Sequence, residues 1–320
     1  MQFLSIKRKK RIYAIAFAPN GRELAAACGD NLLRVWDLTT GDVKQWISIE
    51  HTSSGLDIAY LDDSRLVFAG SELRRWDIGP NGWLVIEPRF RWNRKLAASP
   101  NNKYLAEVDE TNSTDWGGSG LIVHEIEPDD FHRLPVSLES AVHTTGGVAF
   151  SPNSKHLATG HIIRVGEKRR YFAYVPGGYA VNDYDYIVHI REVATGNIVQ
   201  SIDGWQQGVS KLAFSPDNKY LAGTAGSRLR IWDLAAEREV ALHKRGTKHF
   251  QGLAFTADGR YLATVSNDET VRIWETNTWQ EHTTFTWKIG ALLNIALSPE
   301  GLRAAAGSDK GQIVIWDLEE

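Results

Sequence analysis

The sequence predicts an all-β fold: one seven-bladed propeller of four-stranded antiparallel blades, a single domain over residues 1–320. Three observations predict it. A turn-centred segment of the type Ala213-Phe214-Ser215-Pro216-Asp217-Asn218-Lys219 recurs along the whole chain. A short alternating strand ending in Trp-Asp or Trp-Glu recurs at 36–37, 76–77, 232–233, 274–275 and 316–317. No helix start or stop signal interrupts the series.

The composition is compatible with such a fold. At 42% hydrophobic and 23% charged the chain reads as soluble and globular rather than disordered. Length alone suggests about two domains, and the repeat reduces that to one. Thirty-six Lys+Arg against 39 Asp+Glu leave a net charge of −3, too small to draw the whole molecule onto nucleic acid or an anionic membrane. The lone Cys28 excludes an intrachain disulfide and gives no sign of secretion, so a cytoplasmic location is expected. The basic run Lys7-Arg8-Lys9-Lys10-Arg11 and the apolar residues 12–18 resemble a short signal peptide. Those apolar residues also match the repeat, which places them in the mature structure. No segment approaches the roughly 18 apolar residues of a membrane-spanning helix.

The repeated turn falls at positions 19, 62, 100, 152, 216, 257 and 299, at intervals of 43, 38, 52, 64, 41 and 42 residues. Spacings of roughly 40–45 residues mark a blade of four strands. Proline presets φ for the second turn position, and Asn, Asp or Gly tolerate the positions after it. A short apolar run such as Tyr261-Leu262-Ala263-Thr264 follows as a strand. A small-residue turn such as Ser266-Asn267-Asp268-Glu269 leads into the alternating strand Val271-Arg272-Ile273-Trp274. Blades 3 and 4 lose the Trp-Asp ending and carry His124-Glu125 and Arg191-Glu192 there. The last repeat ends on its third strand, while the spare strand Phe3-Leu4-Ser5-Ile6 precedes the first. The N-terminal strand is therefore expected to complete blade 7 and to hide an edge that would otherwise invite aggregation. Deleting residues 2–6 should lower the melting temperature by many degrees.

The two long intervals are insertions between second and third strands. One covers 109–120 in blade 3 and includes Trp116; the other covers 161–186 in blade 4. The second contains Tyr171, Phe172, Tyr174, Tyr179, Tyr184 and Tyr186, preceded by Lys168-Arg169-Arg170, with Pro176-Gly177-Gly178 as a candidate hairpin turn. Tyr and Arg dominate interface hot spots because they bury large area at low entropic cost. The same aromatics could instead pack the insertion onto the rim, as long loops need a small core of their own.

These motifs resemble the WD40-repeat β-propeller family over essentially the whole chain. With Gly-His mostly missing from the repeat openings, the chain looks more like the bacterial members. The loss also implies that the family's buried His–Asp–Ser–Trp set is intact in no blade. The resemblance places both insertions on one face, the top. There it also implies that residues flanking the leading aliphatic of each first strand point into the opening: Arg11, Tyr13, Ser54, Leu56, Trp92, Arg94, Thr144, Gly146, Gly208, Ser210, His249, Gln251, Ala291 and Leu293. The run Lys7–Arg11 joins them, as a solvated loop, as edge charges or as a basic rim for an acidic partner.

Catalytic chemistry is sparse. The ten histidines show no metal spacing, Cys28 follows an apolar run that suggests a buried inert thiol, and the sequence lacks a nucleophile elbow, a phosphate loop and a His-Glu-x-x-His pair. His124 and His189 fall on third strands, where packing is expected. No cofactor and no metal are expected. The leading expectation is a non-catalytic scaffold, monomeric by itself, that binds a protein or peptide on the top face near blades 3 and 4. Part of it rests on analogy, since a fold does not imply a function. Two alternatives stand beside it. Carboxylates such as Asp109, Glu110, Asp115, Asp183 and Asp185 could hold a cation beneath two lid-like insertions in an enzyme or small-ligand propeller. The basic runs with the tyrosines could bind nucleic acid, with affinity falling steeply in salt.

Overall fold

The computed structural model describes residues 1–6, 10–49, 56–70, 72–79, 83–87, 94–109, 120–127, 130–134, 142–172, 175–244 and 246–318. Side chains are described in these ranges except at 83–85, 87, 94, 109, 142–143, 164, 166–172 and 175–183. Strand β1 (Gln2–Ser5) comes first. Blade 1 follows with β2 (Ile12–Phe17), β3 (Glu23–Cys28), β4 (Leu32–Asp37) and β5 (Val43–Ser48). Blade 2 holds β6 (Asp57–Tyr60), β7 (Arg65–Ala69), β8 (Leu73–Asp77) and β9 (Trp83–Glu87). Blade 3 holds β10 (Arg94–Ala98), β11 (Tyr104–Asp109), β12 (Leu121–Ile126) and β13 (Phe131–Arg133). Blade 4 holds β14 (Val142–Phe150), β15 (His156–Phe172), β16 (Val175–Glu192) and β17 (Ile198–Trp205). Blade 5 holds β18 (Lys211–Phe214), β19 (Tyr220–Ala225), β20 (Arg228–Asp233) and β21 (Arg238–Lys244). Blade 6 holds β22 (Phe250–Phe255), β23 (Tyr261–Ser266), β24 (Thr270–Glu275) and β25 (Glu281–Thr286). Blade 7 holds β26 (Leu292–Leu297), β27 (Arg303–Ser308) and β28 (Gln312–Asp317), and β1 completes it.

Each blade is thus a four-stranded antiparallel meander, and the seven form a ring. First strands of successive blades pack side by side, with β2 of blade 1 against β26 of blade 7. Closure is made by β1, whose Gln2, Phe3, Leu4 and Ser5 pair with Ile315, Val314, Ile313 and Gln312 of β28. The Ile6 amide donates to the Gly311 carbonyl at 3.0 Å. Leu4 and Ile6 are buried with Ile313 and Ile315 against Leu24 and Trp36 of blade 1.

The repeated turn owes its shape to side-chain acceptors. In blade 5 the Ser215 hydroxyl donates to Asp217 Oδ1, and the Lys219 amide donates to the same carboxylate. The Tyr220 amide donates back to the Ser215 hydroxyl. The same three bonds recur around Asn101, Asn153 and Asp258. The residue after the acceptor adopts positive φ, 59° at Asn218 and 71° at Gly259, a conformation Gly and Asn enter at low cost. This is the physical content of the Ser-Pro-Asp-Asn-type repeat.

Third-strand tryptophans fill the seams between blades. Trp36 packs against Ala305, Ile313 and Ile315 of blade 7, and Trp76 against Leu33 and Val35 of blade 1. Diagonal to each on the second strand stands a residue that could accept the indole N–H. It is Ala26, Phe68, Gly223 and Ala306 in blades 1, 2, 5 and 7, and Thr264 in blade 6. Only Thr264 carries a suitable oxygen: Trp274 Nε1 donates to its hydroxyl at 2.9 Å. Trp232 and Trp316 Nε1 are buried without an acceptor among the described residues. One bond of the buried polar set therefore survives, in blade 6. In blade 3 the same diagonal brings His124 Nε2 to 4.0 Å from Glu107 Oε1, both buried, with Phe131 edge-on to the imidazole. His124 and His189 lie on third strands, as expected, and Cys28 is buried at the end of β3.

Candidate interaction face

In an antiparallel meander alternate loops share an end, so second-to-third-strand turns and blade-to-blade connections lie on one face. Hydrogen bonds join these two loop types. The Gly29 amide donates to Arg11 O at 2.7 Å, the Asn267 amide to His249 O at 3.2 Å, and the Asp309 amide to Ala291 O at 2.9 Å. Beneath this face, third-strand arginines take acids from the upper turns. Arg34 grips Asp30 with two bonds of 2.8 and 2.5 Å, Arg74 pairs with Glu72 at 2.6 Å, and Arg272 with Asp268 at 3.4 Å. The pairing with Arg34 holds the Asp30 carboxyl below its ordinary value against the opposing effect of its own burial.

Blade 4 departs from this scheme. Its insertion is not a loop: β15 and β16 continue as one antiparallel ribbon, paired from His156↔Glu192 to Phe172↔Val175. Pro176-Gly177-Gly178 sits inside β16 instead of turning the hairpin, which corrects the sequence-based expectation. The reason is register: Arg170 stands opposite Tyr179 and Phe172 opposite Val175, so a bulge between the two pairs takes up Pro176-Gly177-Gly178. β14 pairs with β15 only as far as Ile163, and β17 pairs with β16 only as far as Tyr186. Beyond Ile163, β15 pairs with β16 alone among the described residues.

The predicted residues distribute as follows. Arg169, Arg170, Tyr171 and Phe172 lie on β15 and Tyr179 on β16, in the outer ribbon, where their side chains are outside the description. Tyr184 is 41% exposed. Tyr186 is half-buried, opposite Trp205 at the ribbon's base, and packs into the core between blades 4 and 5. Arg94 opens β10 opposite Asp109. Arg11 and His249 are exposed on the upper connections, and Tyr13 leans half-buried on the core between blades 1 and 2. Trp92, Trp116, Tyr174, Ser54, Lys7, Arg8, Lys9, Glu110 and Asp115 lie outside the described residues. Three positions expected to line the opening are buried instead, Gly146 among them. Leu56 is 4% exposed, drawn into the apolar cluster of Leu33, Tyr60 and Trp76. Thr144 is 2% exposed, its hydroxyl donating to Gly120 O at 3.1 Å.

The root of the ribbon holds a buried polar cluster that sequence reasoning missed. His161 is fully buried; its Nε2 and the Thr159 hydroxyl lie 2.7 Å apart, and its ring stands edge-on to His189 at 4.9 Å between centroids. Arg191 occupies the tryptophan position of this blade and His189 the arginine position. Burial, with His189 and Arg191 adding to it, holds the His161 pKa well below its ordinary 6.5, so the ring is neutral. Where blades 1, 2 and 6 set a third-strand arginine beneath a turn acid, blade 4 sets His189.

Chemically the described face is quiet. No group of three or more potential metal-ligating side chains occurs among the described residues. Burial, outweighing the nearby Arg34, raises the Cys28 thiol to about 12, which leaves no thiolate at neutral pH. No helix among the described residues is long and apolar enough to cross a membrane.

Comparison with known proteins follows this architecture. A family model described as "WD domain, G-beta repeat" matches residues 4–37, 196–233 and 243–275. The chain is similar to "Target of rapamycin complex subunit wat1" of Schizosaccharomyces pombe, 26% identical over 43% of this chain and 44% of that protein. It is similar to "Target of rapamycin complex subunit LST8" of Mus musculus, 24% identical over 44% of each. It also resembles "Transcription initiation factor TFIID subunit 5" of Caenorhabditis elegans, 30% identical over 34% of this chain and 17% of that protein. The chain thus matches less than half the length of each of these relatives.

Proposed function

Because the chain is a WD40-repeat propeller, we propose that it is a non-catalytic scaffold whose partner, a protein or peptide, docks on the upper face beside blades 3 and 4. The observation that carries this reading is the ribbon. A two-stranded hairpin standing clear of its sheet is marginal in water by itself, and its open edge and aromatic content are what a partner strand or surface would cover. The relatives support a subunit role, as their names describe members of multiprotein assemblies. The lone buried thiol fits a cytoplasmic protein. The predicted contact set is Tyr171, Phe172, Tyr174, Tyr179, Tyr184, Arg169 and Arg170 on the ribbon, with Trp116, Trp92, Arg94, Arg11, Tyr13 and His249 around it.

The register supplies a clean test. Arg164 and Tyr184 face each other across the ribbon. Replacing residues 165–183 by Asn-Gly joins them through a two-residue hairpin turn. Affinity purification of both forms from native lysate should yield partners with the full chain and not with the shortened one, at a nearly unchanged melting temperature. Identical partner sets from a folded shortened protein would make the ribbon structural and refute the proposal.

A further inference from the structure

A second feature of the upper face lies away from the ribbon, on blades 5, 6, 7 and 1. Here the connections are short and carry cations: Lys248 and His249 before blade 6, Lys288 before blade 7, Lys310 in the upper turn of blade 7, and Lys10 with Arg11 before blade 1. All six are exposed, and Lys10, Arg11, Lys248, Lys288 and Lys310 make no ion pair among the described residues. The described acids of the same turns, Asp30, Asp268, Glu269 and Asp309, are all half-buried. Asp30 and Asp268 are held from below by Arg34 and Arg272. The four carboxylates are thus withdrawn, and two of them compensated, while the ammonium groups stand in solvent.

The opposite face exposes both signs, with Arg22, Lys155 and Lys219 among its cations. Its turns expose Asp42, Asp63, Asp217, Asp258, Glu300 and Asp317. Several cations there are engaged locally, Arg303 with Glu300 at 3.2 Å and Lys103 with Glu125 at 3.0 Å, and Arg260 with Asp258. A net charge of −3 therefore conceals a separation along the ring axis. Such a field orients an anionic partner onto the upper rim and speeds its encounter.

We propose that this arc receives an acidic protein segment, an extended run of Asp and Glu lying along the rim of blades 5, 6, 7 and 1. A peptide fits better than a polynucleotide. The aromatic on these connections, Trp287, is packed against Phe285 and Trp316 and gives no base a stacking platform. A long polyanion reaching past the rim would meet the acidic face.

The test uses the full chain and fluorescein-labelled oligoglutamate, read by fluorescence anisotropy across ionic strengths, with labelled oligothymidylate in parallel. The expected result is saturable oligoglutamate binding at low salt that weakens as salt rises. Lys10→Glu/Lys288→Glu/Lys310→Glu should weaken it about tenfold or more, and Lys103→Glu/Lys219→Glu on the opposite face should leave it unchanged. If the triple reversal melts early, Lys10→Gln/Lys288→Gln/Lys310→Gln replaces it with the same expectation. No saturable binding at low salt, or equal losses from both faces, overturns the proposal. Tighter binding of oligothymidylate than oligoglutamate overturns it in favour of nucleic acid. The ribbon-shortened protein should bind oligoglutamate normally, so this proposal and the ribbon proposal fail independently.

Discussion

Blades 6 and 4 solve the same packing problem in different ways. Blade 6 keeps a tight upper turn at 267–269, and that turn supplies Asp268 to Arg272 while Thr264 accepts the Trp274 indole. Blade 4 extends the turn into a ribbon. It carries His189 where blade 6 has Arg272 and Arg191 where blade 6 has Trp274. Thr159 is still present, at the position of Thr264, and meets His161 instead. The contrast teaches that the polar groups of a seam change together with the turn above it.

The largest effect should come from emptying the regular seam. Trp274 is 5% exposed, and Trp274→Ala should cost about 3–5 kcal/mol, a large fall in melting temperature by circular dichroism. Placing blade 6 chemistry in blade 4 comes next. His189→Arg sets a second guanidinium near Arg191 and displaces the His161–His189 ring contact, and should cost about 2–4 kcal/mol. Asp268→Asn in blade 6 should cost less, because Glu281 lies 3.4 Å from the Arg272 Nε. If His189→Arg proves the milder of the two, the two seams are interchangeable and the contrast fails. Thr264→Val should cost about 1–2 kcal/mol by leaving the indole N–H unsatisfied.

A pH scan probes blade 4 more gently. His161 is neutral in the folded chain and gains a proton near 6.5 when unfolded. Its contribution to stability is therefore complete above that pH and is lost progressively as the pH falls below it. The drop in melting temperature between pH 7.5 and 5.5 should be smaller in His161→Gln than in the parent. Parallel curves would remove His161 as the source. Shortening the ribbon at Arg164 and Tyr184 should have the smallest effect on melting, since the outer ribbon pairs only with itself among the described residues.

Much of the ring was readable from the sequence, because each turn repeats its own chemistry. Ser215, Asp217 and Lys219 announce three bonds in a single heptad, and Trp-Asp endings mark the third strands. The closing strand was legible too, from the spare Phe3-Leu4-Ser5-Ile6 and a last repeat that stops at its third strand. The full length of the ribbon was not, since Pro176-Gly177-Gly178 carries a turn signal and yet lies within β16. Leu56 was misplaced because alignment ignores how strongly a leucine favours the core. The charged arc escaped notice because Lys248, Lys288 and Lys310 lie singly in different repeats, and only the topology gathers them. The histidine cluster escaped for a similar reason: His161 and His189 are 28 positions apart and meet only because β15 and β16 are so long.

The pairing of β1 with β28 also orders events in time. Gln2 waits for Ile315, the Ile12 carbonyl for Asn294 Nδ2, and the Gly21 carbonyl for the guanidinium of Arg303. Blades 1 to 6 can each form from neighbours in sequence as the chain emerges from the ribosome. Blade 7 needs β1 to meet β28 across the whole ring, so it carries the highest contact order and should be completed last. Until then β28 is a bare strand edge.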